Sequence, residues 1–230
     1  MLAELLVWYL VFLFSTTCHE FAHAYAALKG GDTTAYEGGQ VSLDPTPHIR
    51  RSPFGMVVVP IVSLLTWHFI IGWGASPYNP HWASRHPRRY AWMSLAGPSA
   101  NIVLATLAFV LMVVLVKSDV LLLAGGATRL DTLVLPPGDT MNTPVGALAR
   151  VLSVMFSLNV LLAVFNLLPV PPLDGAAVVE GFWPKGPGGW ITKARELPMF
   201  GILGLVIAMY LVPKIVFPIL DALVTLMYLL

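Results

Sequence analysis

The sequence predicts an all-α polytopic membrane protein: a bundle of about four to six transmembrane segments, with a small β hairpin or sheet near the cytosolic side and one segment for which a re-entrant path is favoured. Three observations predict it. Of 230 residues, 57% are apolar and only 11% charged, whereas an ordinary soluble domain carries about 25% Asp, Glu, Lys and Arg. Apolar windows of about 20 residues, enough to cross roughly 30 Å of hydrocarbon, recur along the chain. Lys and Arg gather in some connections and avoid others, the asymmetry that sets membrane orientation. The balance of 13 Lys and Arg against 12 Asp and Glu gives a net charge of +1, so there is no electrostatic case for nucleic acid. The single Cys18 excludes an internal disulfide framework.

The first segment, residues 5–28, lacks a basic leader and a small-residue cleavage site and is expected to be a retained helix rather than a signal peptide. After it, Gly38-Gly39-Gln40-Val41-Ser42-Leu43 alternates apolar and polar residues behind a glycine pair, the period of a short strand. The second segment, 54–73, carries Pro60 and a Gly72-Trp73-Gly74 break. The third covers 90–116 and the fourth 145–168. The last, 199–230, contains Pro213 and Pro218 and is long enough for one span plus a surface helix, or for a tight hairpin. Lys29, Arg50, Arg51, Arg85, Arg88 and Arg89 lie between segments one and three, and Lys185, Lys193 and Arg195 follow the fourth; both groups belong inside. The connection with only Lys117 and Arg129 belongs outside, which puts the N-terminus outside. Basic clusters on both flanks of 54–73 then favour a path that enters and returns, with its irregular backbone buried by protein, over a full span with one cluster outside. Without repeats or an appended soluble region, 1–230 reads as one intramembrane domain.

Ionisable side chains inside a span are costly and mark functional sites. His19-Glu20-Phe21-Ala22-His23 places two imidazoles one helical turn apart on one face, with a carboxylate between them able to reach a metal-bound water. This is a zinc-hydrolase arrangement, since zinc lowers the pKa of bound water to about 7. A catalytic zinc usually takes a third protein ligand. Asp174, at the inner end of the fourth segment, lies on the same side as the His pair; the competing reading is a turn or helix cap at Asp174-Gly175.

With these residues in place the chain resembles the site-2 protease family of intramembrane zinc metalloproteases, in its short form without a PDZ domain. Three motifs carry the resemblance: His19-Glu20-x-x-His23, Ala96-Gly97-Pro98-Ser99-Ala100-Asn101, and Asn166-x-x-Pro169-x-Pro171-x-Leu173-Asp174-Gly175. It implies that His19, His23 and Asp174 bind one Zn2+ per chain, that Glu20 is the general base and acid, and that Asn101 and Asn166 sit near the site. It further implies that substrates are single-pass membrane proteins, already trimmed outside the bilayer and cut within it, and a short-looped chain of this kind fits a prokaryotic plasma membrane.

An unwound substrate helix needs hydrogen-bond partners in a place with little water, and Asn supplies both donor and acceptor. Asn101 and Asn166 are therefore candidates for substrate binding or transition-state support, against packing glue between helices for Asn101. The strand at Gly39, Gln40, Val41 and Ser42 offers an edge for substrate pairing, or a plug at the cytosolic mouth. Gly201 and Gly204 mark a place where outer segments could part. His48, His81 and His86 are expected to face solvent or headgroups, His68 the interface, and Cys18 to pack. A zinc transporter is the first alternative; Ala24 after His23 and the lack of His in the third segment argue against a second ligand set. Another metalloprotease class with Glu180 as ligand, and a non-catalytic scaffold, complete the alternatives.

Overall fold

The computed structural model describes residues 2–125, 129–138, 140–195 and 197–230. Four helices among them are long and apolar enough to cross a membrane, so the chain is a multi-pass membrane protein. Helix α1 (Leu2–Lys29) contains neither Gly nor Pro and stops where Gly31 takes a positive φ of 94°, a conformation that excludes further helix. Two short helices follow, α2 (Thr34–Glu37) and α3 (Pro45–Arg51), the latter capped by Asp44, whose carboxylate accepts from the Thr46 N–H at 2.9 Å.

A π-helical turn (Phe54–Val58) runs directly into α4 (Val59–Trp67). Together they make fourteen residues, five of π-helix and nine of α-helix, and reach about 21 Å at 1.5 Å per residue, short of a 30 Å bilayer core. The segment meets α3 at a bend of 112°. At His68 (φ 54°) the chain reverses, and residues 69–79 return without regular secondary structure against the helix they left. The Ile71 N–H donates to Ser63 Oγ (3.0 Å) and the Trp73 N–H to Gly55 O (3.0 Å). The chain therefore doubles back on itself after α4.

Helix α5 (Pro80–Arg85) leads into α6 (Pro87–Lys117). Beyond α6, strands β1 (Leu122–Leu123) and β2 (Val134–Leu135) pair antiparallel, Leu122 opposite Leu135. This connection folds down onto α7 (Pro144–Leu167): Ser153 Oγ accepts from the N–H groups of Leu133 and Val134, and Ser157 Oγ donates to Leu130 O. The last elements are α8 (Asp174–Phe182), α9 (Pro187–Arg195) and α10 (Pro198–Leu229). Ala105, Ala108, Met112, Phe156, Val216 and Leu220 pack α6, α7 and α10 together; Val11, Phe12, Leu64 and Leu158 join α1, α4 and α7. The outward faces carry exposed Leu6, Leu10, Leu107, Ile202 and Val206, as lipid contact requires.

Three sequence expectations need correction. Residues 38–43 form no strand: they are turn and bend, because Gly39 sits at φ 73°, Gln40 is held by Ala75 O (3.1 Å) and Ser42 Oγ takes the Asp44 N–H. Alternation makes a strand only where a partner strand is available, and the small sheet lies instead at 122–135. Residues 199–230 make neither a hairpin nor a span with a separate helix, since one uninterrupted helix continues through Pro213 and Pro218. His48 is buried rather than solvated, its Nε2 on Ser42 O at 2.9 Å.

Candidate metal centre

The inward face of α1 carries His19 and His23 one turn apart, both buried. Each ring is fixed from α6 through its Nδ1–H: His19 donates to Asn101 Oδ1 at 2.6 Å and His23 to Met93 O at 2.7 Å. That tautomer leaves both Nε2 lone pairs bare, and they face each other at 2.9 Å. After α7 the chain passes through Pro169, Pro171 and Pro172, which cannot prolong a helix, and Asp174 opens α8. Its Oδ2 lies 3.2 Å from His19 Nε2 and 3.3 Å from His23 Nε2. Three acceptor atoms converging on one point repel unless a cation lies among them. The set of two imidazole nitrogens and one carboxylate oxygen suits zinc with an open fourth position. The rings are held from behind in the way that orients metal-binding histidines.

Space at this point is kept by Gly97 of α6. A Cβ there would overlap His23 Nε2 and stand 2.6 Å from His19 Nε2, where the ligand atoms meet. Glu20, also buried, lines the same cavity of about 900 Å³ as His19, His23, Asp174 and Asn166. Gly74 lies so close to Glu20 that a Cβ would overlap its Oε1, and Ser76 Oγ donates to Glu20 O at 2.9 Å. The rest of the wall is largely apolar, with Leu205, Met209 and Val212 supplied by α10.

The structure thus brings His19, His23, Asp174 and Glu20 to one cavity. Asn166 is half-buried on its wall, with Nδ2 turned back to Leu162 O at 3.0 Å. Asn101 stands elsewhere: it is fully buried behind His19, off the cavity wall. Gly39, Gln40, Val41 and Ser42 do not reach the cavity; residues 69–76 do. Among the described residues no second group of His, Cys, Asp or Glu converges as these three do, so a transporter's chain of metal sites is not favoured.

Sequence reasoning missed Asn159, although a carboxamide in mid-span is the same signal that singled out the histidines. It also read Gly72-Trp73-Gly74 as a break favouring a returning path and not as part of the cavity wall, where all three residues lie. Outside the spans, Asp32 fixes the start of the returning segment's far end, accepting from the Thr34 N–H (3.0 Å), the Thr34 hydroxyl and the Asn79 N–H (2.8 Å). Burial alone would raise its pKa, but these hydrogen bonds outweigh it and hold the carboxyl below its ordinary value.

Residues 7–209 match the peptidase family M50. The chain is 32% identical to YwhC of Bacillus subtilis over 79% of its own length and 71% of that protein. It is 34% identical to Rip2 of Mycobacterium tuberculosis over 73% of its length, spanning only about half (54%) of that relative. The names of both relatives put them among zinc metalloproteases. No solved structure matches the chain. A family match over most of the chain, a His-His-Asp cluster facing an apolar cavity and four membrane-length helices lead to one conclusion: the chain belongs to the M50 peptidases, the site-2 protease family of intramembrane zinc metalloproteases.

Proposed function

We propose that His19, His23 and Asp174 hold one zinc ion per chain and that Glu20 is the general base and acid for peptide hydrolysis inside a membrane-spanning substrate. The observation that carries this reading is the convergence of His19 Nε2, His23 Nε2 and Asp174 Oδ2 within 3.3 Å of one another in a cavity that Glu20 also lines. Zinc, when bound, supplies Lewis acidity sufficient to bring the pKa of water to about 7. The Glu20 carboxylate takes the proton of the attacking water and returns it to the leaving amine. Gly74, by lacking a side chain, leaves room for that carboxylate. Asn166 offers its carboxamide to peptide groups freed when the substrate unwinds, or to the developing oxyanion. Asn101 serves from behind by orienting His19.

The backbone that pairs with an unwound substrate is that of residues 70–76 in place of 39–42. It has no regular secondary structure, lies beside Glu20, and Gly72 and Gly74 offer peptide groups without a partner among the described residues. Main-chain pairing at such an edge is indifferent to side chains, which suits an enzyme acting on membrane helices of varied sequence. The substrates in this reading are single-pass proteins already trimmed outside the bilayer. The N-terminus lies outside and the site toward the cytosol, as the Lys and Arg distribution favours, in a prokaryotic plasma membrane. Residues 1–230 act as one intramembrane domain.

The test is metal content and cleavage of a membrane-helix substrate by detergent-purified protein. One zinc per chain is expected in the native protein and in Glu20→Gln. Activity is expected to fall about 10²- to 10⁴-fold in Glu20→Gln, and zinc to be lost in Asp174→Ala. Zinc occupancy indifferent to Asp174 would sink the assignment.

A further inference from the structure

We propose that Asn159 is a positioning residue that fixes which ring nitrogen of His19 carries the proton, and so keeps the metal-facing nitrogen bare. The inference rests on His19 being a zinc ligand, and goes beyond it by naming what prepares that ligand.

Asn101 alone cannot set the tautomer of His19. With Oδ1 toward the ring it accepts the Nδ1–H and leaves Nε2 as a lone pair; turned over, its Nδ2–H would donate to Nδ1 and drive the proton onto Nε2, where it would block a metal. The two orientations of a carboxamide have nearly the same shape, so packing does not choose between them. The choice comes from the neighbour on α7. Asn101 Nδ2 donates to Asn159 Oδ1 at 2.8 Å. Asn159 could in turn be flipped, were its own Nδ2 not bound to Met155 O at 2.8 Å and to Ser15 Oγ at 2.9 Å.

Met155 O is a backbone carbonyl, an acceptor that cannot become a donor. It therefore gives the whole chain a direction. Asn159 must present Nδ2 to it and Oδ1 to Asn101; Asn101 must present Nδ2 to Asn159 and Oδ1 to His19; His19 must carry its proton on Nδ1. Every link is buried, with Asn101 and Asn159 at 0% exposure, so water is not at hand to satisfy a reversed arrangement, and a reversed link leaves two donors or two acceptors facing each other at a cost typical of unpaired buried groups. His23 needs no such device, because its Nδ1–H goes straight to the carbonyl of Met93. The two histidines thus reach the same tautomer by different routes, one directly from a backbone carbonyl and one through two carboxamides. Only the second route can be cut by changing a residue that touches neither the metal site nor the cavity wall.

The experiment uses the full chain in detergent with ¹⁵N-labelled histidine, assigned by comparison with His19→Ala. In metal-stripped native protein, His19 is expected as the Nδ1–H tautomer. In Asn159→Leu it is expected as a mixture, with zinc affinity, measured by chelator competition, down by about tenfold, the lower end of the effect of residues behind a metal ligand. The double variant Asn101→Asp/Asn159→Leu is expected to regain both the tautomer and most of the affinity, because a carboxylate accepts the Nδ1–H whichever way it is turned. Thermal melting reports the fold, and Asn159→Ala stands in if the leucine variant does not fold. An unchanged tautomer and affinity in the single variants, or a loss that Asn101→Asp does not restore, overturns the proposal and leaves Asn159 a packing residue. Undiminished zinc in His19→Ala is the different failure, that of the ligand assignment itself.

Discussion

The two sides of the cavity are built by opposite rules. On the side of α1, α6 and α7, polar atoms are buried and matched one to one, from Ser15 through Asn159 and Asn101 to His19. On the side of α10, contact beside the cavity is apolar: Val212, Val216 and Leu220 pack inward while Ile202 and Val206 face outward. Hydrogen bonds are directional and hold a group to a fraction of an ångström, whereas apolar contact is indifferent to small sliding. A hydrolytic site needs the first property, and in the proposed function a wall past which a substrate helix is admitted needs the second. Each prediction below perturbs one side.

The largest effect is expected from Gly97→Ala on the polar side. Its methyl would occupy the point where the two Nε2 atoms meet, so metal analysis should find no zinc in a protein whose melting temperature is near native. A zinc-loaded Gly97→Ala would mean that this side yields more than its hydrogen bonds suggest. Next is Gly74→Ala, whose Cβ meets the Glu20 carboxylate. Zinc should be retained while kcat falls by about 10²-fold or more; a change confined to KM would move Gly74 from chemistry to substrate binding.

Asp32→Asn tests the anchor of the returning segment. Loss of hydrogen bonds to a charged acceptor is expected to cost about 1.5–3 kcal/mol at neutral pH, read by denaturation in detergent. Because the folded pKa of Asp32 lies below its ordinary value of 3.8, the unfolded chain takes up the proton first as pH falls. The contribution is therefore complete above about 3.8 and disappears as pH drops through the folded value, and the Asn variant should show a flatter stability profile across that window. A native profile equally flat would remove Asp32 as an anchor.

The smallest effects form a matched pair on α10. A Cβ at Gly204 would overlap Pro171 O, while one at Gly201 meets nothing within 4 Å. Gly204→Ala should destabilise by about 1–3 kcal/mol. Gly201→Ala should be neutral or stabilising by at most about 1 kcal/mol. Equal responses would show that α10 is not seated where the geometry has it, and would erase the contrast between the two sides.

The spans were legible because long apolar runs need no partner to be recognised, and the His19–His23 spacing because one helical turn is a local property. Asp174 is 151 positions beyond His23, and only the motif and the counting of membrane crossings brought it near. What stayed hidden depends on partners far away in sequence. Residues 69–79 carry no period, since irregular backbone at membrane depth is stabilised by whatever buries it. Residues 38–43 carry a period of two but no neighbour to pair with. Asn159 announces a polar group in a span, yet its direction is set by a carbonyl, and backbone carbonyls leave no trace in a sequence.

The short helix at 54–67 has a consequence for the lipid around it. At about 21 Å it is roughly 9 Å shorter than a 30 Å hydrocarbon layer, while α1, α6 and α10 stand at 28, 31 and 32 residues, each longer than the layer is thick. The molecule is therefore lopsided in hydrophobic height. In a bilayer, acyl chains beside the short flank would have to shorten or tilt to meet it, on the flank where residues 69–76 lead back to Glu20.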